Sequence, residues 1–189
     1  MPAIPMPTSA RRGVTRRQLI TTGALAIAAI AAPPSPALAD NDDAISRTEE
    51  AIHQMRVFAA ARKQVYEALT LQTQFDKVVQ LSGVMKADAM AKMQKPTMLS
   101  PHAGGAFALF GGYIVGRQIE LVPYELIVQA WRVLSWPRGV YSIARFEFLD
   151  QGGSTKLVFD HAAFPKGQAE HLASGWQEHY WDPLAKLLA

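Results

Sequence analysis

The chain lacks cysteine altogether, which excludes disulfides, thiolate metal sites and cysteine nucleophiles. The absence leaves export possible, because a domain of this size can hold together through its core alone; 49% of the residues are apolar. Acidic residues are missing from the first 39 positions, which instead hold Arg11, Arg12, Arg16 and Arg17. Those four arginines turn a remainder of 15 basic against 16 acidic side chains into the formal charge of +3. The basic character therefore belongs to the leader. No Lys/Arg stripe is left to track a phosphate backbone, so nucleic acid is not expected as a partner. Long apolar runs are also lacking: Leu19 to Ala32 falls short of the ~20 residues that span a bilayer as a helix. No GxSxG, HExxH, Walker loop or dinucleotide fingerprint occurs.

What stands at the start has the three parts of a bacterial export signal. A basic stretch ends in Thr15-Arg16-Arg17-Gln18-Leu19-Ile20, and an alanine-rich apolar stretch follows. Pro33-Pro34-Ser35-Pro36 then breaks any helix, and Ala37-Leu38-Ala39 offers small residues where a signal peptidase reads them. The arginine pair resembles the twin-arginine signal, with Thr21 where lysine is frequent, and implies the twin-arginine export machinery as a partner. Cleavage before Asp40 is expected, with retention of the apolar stretch as a membrane anchor as the alternative. The mature protein would then be periplasmic or secreted, with no stable membrane insertion. The organisation read from the sequence is an export signal at 1–39, a flexible acidic lead-in at 40–52 and one domain at 53–189.

The domain changes period along its length. Met55 and Val57 alternate with polar neighbours and predict a strand at His53–Phe58. Val65 and Leu69 at helical spacing predict a short helix within Ala59–Thr70. A second helical region runs from about Leu71 to Lys95, interrupted at Ser82-Gly83 and ended by Pro96 and Pro101. Four of the seven methionines fall between Met85 and Met98, a composition suited to a pliable wall or to ordinary core packing. Beyond His102 come five runs separated by turn signals: Ala106–Phe110, Tyr113–Leu121, Leu126–Leu134, Tyr141–Leu149 and Thr155–Ala162. Gly111-Gly112 and Gly152-Gly153 mark hairpins, and an antiparallel meander is expected. The final helix carries Leu172, Trp176, His179 or Tyr180, Pro183, Leu184 and Leu187 as one stripe, with a kink expected at Pro183. The fold class is α+β: a curved antiparallel sheet of about six strands wrapped around a long C-terminal helix, with two shorter helices after the first strand.

That order is the helix-grip arrangement, and particular segments resemble a known group. They are Arg56-Val57-Phe58-Ala59-Ala60 before Val65-Tyr66-Glu67-Ala68-Leu69-Thr70, then Gly104-Gly105-Ala106-Phe107, and Gly116 before Ile119-Glu120-Leu121-Val122-Pro123. Ile127-Val128-Gln129-Ala130-Trp131-Arg132, Gly153-Ser154-Thr155-Lys156-Leu157, and Gly175-Trp176 with Pro183-Leu184 complete the set. Together they resemble the START-like (SRPBCC) superfamily, in the branch similar to the activator of Hsp90 ATPase. The resemblance covers roughly Gln54 to Leu188. It implies a fold shared by lipid carriers, polyketide cyclases, hormone-binding proteins and co-chaperones, so fold does not select a function.

In a curled sheet, alternate residues point into the grip. One parity gives Thr155, Leu157, Phe159 and His161, beside Ala144, Phe146 and Phe148, and then Ile127, Gln129 and Trp131. These faces suit either a fully packed core or a cavity; with the superfamily resemblance, a cavity for a small apolar or aromatic ligand is expected, lined by Phe107, Gln129, Trp131, Phe146, Phe159, His161, Trp176 and Tyr180. No cofactor and no metal is expected; His171 and His179 lie ~12 Å apart along a helix axis, too far to share an ion. Two other readings stay open: a cyclase- or hydrolase-type enzyme using His161 or His171, and a protein-interaction module. The oligomeric state is open.

Overall fold

A computed structural model describes residues 50–86 and 95–189. The export signal at 1–39, most of the lead-in and the methionine-rich run at 87–94 lie outside the described residues. Strand β1 covers Ile52–Phe58, one residue earlier than the sequence pattern suggests, followed by helices α1 (Arg62–Thr70) and α2 (Gln72–Ser82). Then come β2 (Met98–Leu99), β3 (Ala106–Leu109), β4 (Ile114–Val122), β5 (Leu126–Val133), β6 (Ser142–Asp150) and β7 (Thr155–Ala162). The C-terminal helix runs as α3 (Ala169–Trp176), a π-helical turn (Gln177–Trp181) and α4 (Asp182–Leu188).

Local chemistry accounts for the helix ends. The Gln64 side chain accepts from the Ala61 N–H at 3.1 Å and closes the first turn of α1. Helix α2 stops at Gly83, whose φ of 68° is the left-handed cap that glycine adopts without strain. The N-terminus of α3 is held from outside. The Glu50 carboxylate accepts from the N–H groups of Gly167 (2.7 Å) and Ala169 (2.9 Å). These two bonds hold its pKa below the ordinary carboxylate value. The lead-in is therefore tied down at its last residues.

All strand pairs are antiparallel, in the order β1-β7-β6-β5-β4-β3-β2. The sheet has seven strands rather than six: Met98–Leu99 pairs with Phe107–Ala108, too short a strand between Pro96 and Pro101 for periodicity to reveal. The inward parity is the expected one. Thr155, Leu157, Phe159 and His161, with Ala144, Phe146, Phe148, Ile127, Gln129 and Trp131, are all buried. A bulge between Gln118 and Glu120 shifts the register of β4 on β5. Gly116 sits beneath the Phe107 ring, where an added Cβ would meet Cζ at 2.3 Å and the Ala130 carbonyl oxygen at 2.1 Å.

The terminal helix departs from the expected kink. Asp182 N–H bonds to the Gln177 carbonyl, five residues back, so a π-helical turn takes up the discontinuity. Pro183 then falls directly after the wide turn, at the start of α4, where it offers the preceding turn no N–H donor. The wider turn has a packing consequence: Tyr180 and Trp181, adjacent in sequence, are both buried. Trp181 stands off the stripe that regular helical spacing predicts. Its indole N–H donates to Gln54, whose amide donates in turn to the Ala173 carbonyl at 3.1 Å, and Arg56 bonds Gln177. Strand β1 thus clamps the helix at its wide turn.

Candidate functional site

An apolar cavity of about 240 Å³ opens between the first half of the terminal helix and one end of the sheet. The helix contributes His171, Leu172, Gly175, Trp176, His179 and Tyr180. The sheet contributes Ile114, Trp131 and Val133, the β3–β4 turn contributes Phe110 and Tyr113, and Val84 comes from the turn after α2. Two backbone features make the space. Gly175 presents no side chain, and a Cβ built there would meet nothing within 4 Å. Phe110 adopts φ of 51°, and the expected two-residue hairpin at Gly111-Gly112 is instead a 3₁₀ turn. A left-handed aromatic residue costs about 1–2 kcal/mol. Its ring is fixed edge-on to Phe75 at 5.6 Å and Tyr180 at 5.2 Å.

The polar groups of the wall are incompletely paired. Among the described residues, four buried side-chain polar atoms have no hydrogen-bond partner, and three belong to cavity residues: Trp131 Nε1, His179 Nδ1 and the Tyr180 hydroxyl. The indole of Trp131 faces the Tyr180 hydroxyl and acts to lower its pKa, but the pair falls short of the geometry of a full hydrogen bond. Burial dominates and pushes the phenol well above its usual value, so it stays protonated. Burial also lowers His179; nearby His171 adds to this, while Glu178 opposes it.

Deeper in the grip the pattern reverses. His161 is fully buried, its Nδ1 accepts from Trp176 Nε1–H at 3.0 Å, and its Nε2 lies 2.7 Å from Ser142 Oγ. Because the indole can only donate, Nδ1 must be bare and Nε2 carries the proton. Ser142 passes its own proton to the Trp131 carbonyl at 2.9 Å. Desolvation lowers the His161 pKa to about 3. A neutral, doubly bonded imidazole sealed in the core is a structural group, not the proton carrier considered from sequence.

The family profile for Activator of Hsp90 ATPase homolog 1-like protein matches residues 59–189. The chain belongs to this family. It is 33% identical over 89 residues to the human Activator of 90 kDa heat shock protein ATPase homolog 1, covering 47% of this chain and 26% of the relative. It is 30% identical over 124 residues to the mouse homolog 2, covering 64% of this chain and 38% of that protein. The chain therefore spans well under half the length of these relatives. A crystal structure of an HSP90 activator from Plasmodium falciparum superposes with a TM-score of 0.63 at 21% identity, covering 74% of this chain and 96% of that one. This likeness shows the shared fold.

Within this family fold, the eight residues expected to line a cavity separate into three groups. Trp131, Trp176 and Tyr180 stand on the cavity wall. Phe146, Phe159 and His161 form the layer behind, with Phe159 4.4 Å from Trp176 and 4.9 Å from Phe146 between ring centres. Gln129 donates to Gln118 at 3.1 Å within the sheet, and Phe107 packs over Gly116. Sequence reasoning missed Phe110, Gly175, Leu172 and Val84 as cavity residues. Gly175 was visible as a glycine within a helical stripe, and such a glycine often signals a packing or functional reason.

Proposed function

We propose that this family member is an exported, non-catalytic binder of a small apolar or aromatic molecule, held between the terminal helix and the sheet. The observation that carries the reading is the apolar cavity of about 240 Å³ with Gly175 on its helical wall. Drug-sized sites occupy ~300–1,000 Å³, whereas a cavity of ~150 Å³ accepts benzene. The matching occupant is a molecule of one or two rings. Export rests on residues 1–39, with the twin-arginine machinery as partner and the periplasm or exterior as destination.

The test is calorimetric titration of the processed protein with naphthalene, followed by thermal unfolding at saturation. Binding is expected with a negative heat-capacity change. A ligand at a hundredfold its Kd should raise stability by about 2.7 kcal/mol. Absence of both heat and thermal shift with naphthalene and toluene would overturn the reading. The sequence likeness to human and mouse Hsp90 ATPase activators favours a second reading, a module that docks on a protein partner. A domain that binds neither hydrocarbon yet is retained by an Hsp90-type chaperone would establish that alternative.

A further inference from the structure

Buried polar atoms in folded proteins are nearly always paired, and each exception asks for an explanation. Here the exceptions are concentrated. Among the described residues, three of the four belong to one cavity wall, and Trp131 and Tyr180 are themselves 3% and 5% exposed. Nineteen residues before Tyr180 in the same core, His161 accepts from Trp176 and donates to Ser142 with nothing left over. The sequence can therefore satisfy a buried polar aromatic when only structure is at stake.

The donor set narrows what would complete the site. An indole N–H only donates, and a phenol kept protonated by burial has a donor to offer. The missing partner is therefore an acceptor. Among the described residues, the cavity wall contains no lysine, arginine, aspartate or glutamate, and its half-buried His179 is held toward the neutral form. A carboxylate placed there would face no lysine or arginine among the described wall residues, and an unpaired buried charge is strongly disfavoured. A carbonyl oxygen accepts two hydrogen bonds and carries no charge.

Resting on the cavity reading above, we infer that the ligand is an uncharged aromatic ketone, aldehyde or quinone whose carbonyl oxygen accepts from Trp131 Nε1–H and the Tyr180 hydroxyl. The rings fill the space left by Gly175 between Phe110 and Leu172. His179 Nδ1 is placed to serve a second polar substituent on the same molecule. The apoprotein carries the unpaired donors at the expense of its own stability, and the ligand relieves that.

The experiment compares three probes of one shape, 2-acetonaphthone, 2-ethylnaphthalene and 2-naphthoate, by calorimetry against the wild type and the Trp131→Phe and Tyr180→Phe variants. Both variants keep an aromatic ring in place. The ketone-to-hydrocarbon affinity ratio should fall about tenfold in each variant, the weight of one hydrogen bond, with 2-ethylnaphthalene measured on each protein to take out any change in the shape of the wall. The infrared carbonyl band of bound 2-acetonaphthone should lie at lower frequency in the wild type than in the variants. An affinity ratio and band position unchanged by both substitutions would overturn the assignment while leaving the cavity intact. Tightest binding of 2-naphthoate would overturn it in favour of an anion site. Failure of all three probes would remove the cavity reading and this inference together.

Discussion

Two ends of one aromatic interior differ in how they treat polar atoms. Around His161 the imidazole, the Trp176 indole and the Ser142 hydroxyl form a closed chain ending on the Trp131 carbonyl. Around Tyr180 the phenol, the Trp131 indole and His179 Nδ1 are buried without partners. The two ends share Trp131 and Trp176, so the difference is not one of composition. A paired network specifies a single packing, and an unpaired one beside open space leaves a place for something else.

The largest expected effect breaks the paired end with acid. In the unfolded chain a histidine takes up its proton near pH 6.5, whereas His161 does so only at about 3. Between those values the unfolded state holds more protons. Stability is therefore fully present above pH 6.5 and is lost as pH falls toward 3, with a slope of up to about 1.4 kcal/mol per pH unit. Urea unfolding at successive pH values should show this slope, and His161→Leu should flatten it while lowering stability at neutral pH. A Gly116→Ala substitution comes next. Its Cβ would overlap the Ala130 carbonyl and the Phe107 ring, and a destabilisation of about 1–3 kcal/mol is expected in the same assay. The smallest effect separates the two ends most sharply. Tyr180→Phe deletes a hydroxyl with no partner, so stability should be unchanged or rise by up to about 1 kcal/mol. A clear loss would show that the hydroxyl is already satisfied.

Much of the fold was legible because its signals are local. Turn glycines and alternation placed β3 to β7 within a residue or two, and the same parity picked out Leu157, Phe159 and His161 as inward. Strand β2 was illegible because two residues carry no period. The π-helical turn was illegible for a different reason. Pro183 signals a defect in the ladder, but whether a kink or a wider turn absorbs it depends on what Tyr180 and Trp181 meet in the core, and that is tertiary information. The same limit separates the cavity wall from the layer behind it. Alternation assigns Phe146, Phe159 and Trp131 to one face alike; only the path of the helix decides which of them borders open space. The residues that create that space gave weak signals: Gly175 by having no side chain, Phe110 by its backbone angle.

The central claim, that open space beside the helix is a binding site, is tested most directly at Gly175. A leucine there has an ordinary helical position with nothing within 4 Å of its Cβ, and replacing glycine inside a helix adds up to about 1 kcal/mol of stability. Naphthalene titration of wild type and Gly175→Leu, with unfolding measured on both, should show a bound wild type and an equally or more stable variant that binds at least tenfold more weakly. Equal binding by the two proteins would place the ligand elsewhere and contradict the account.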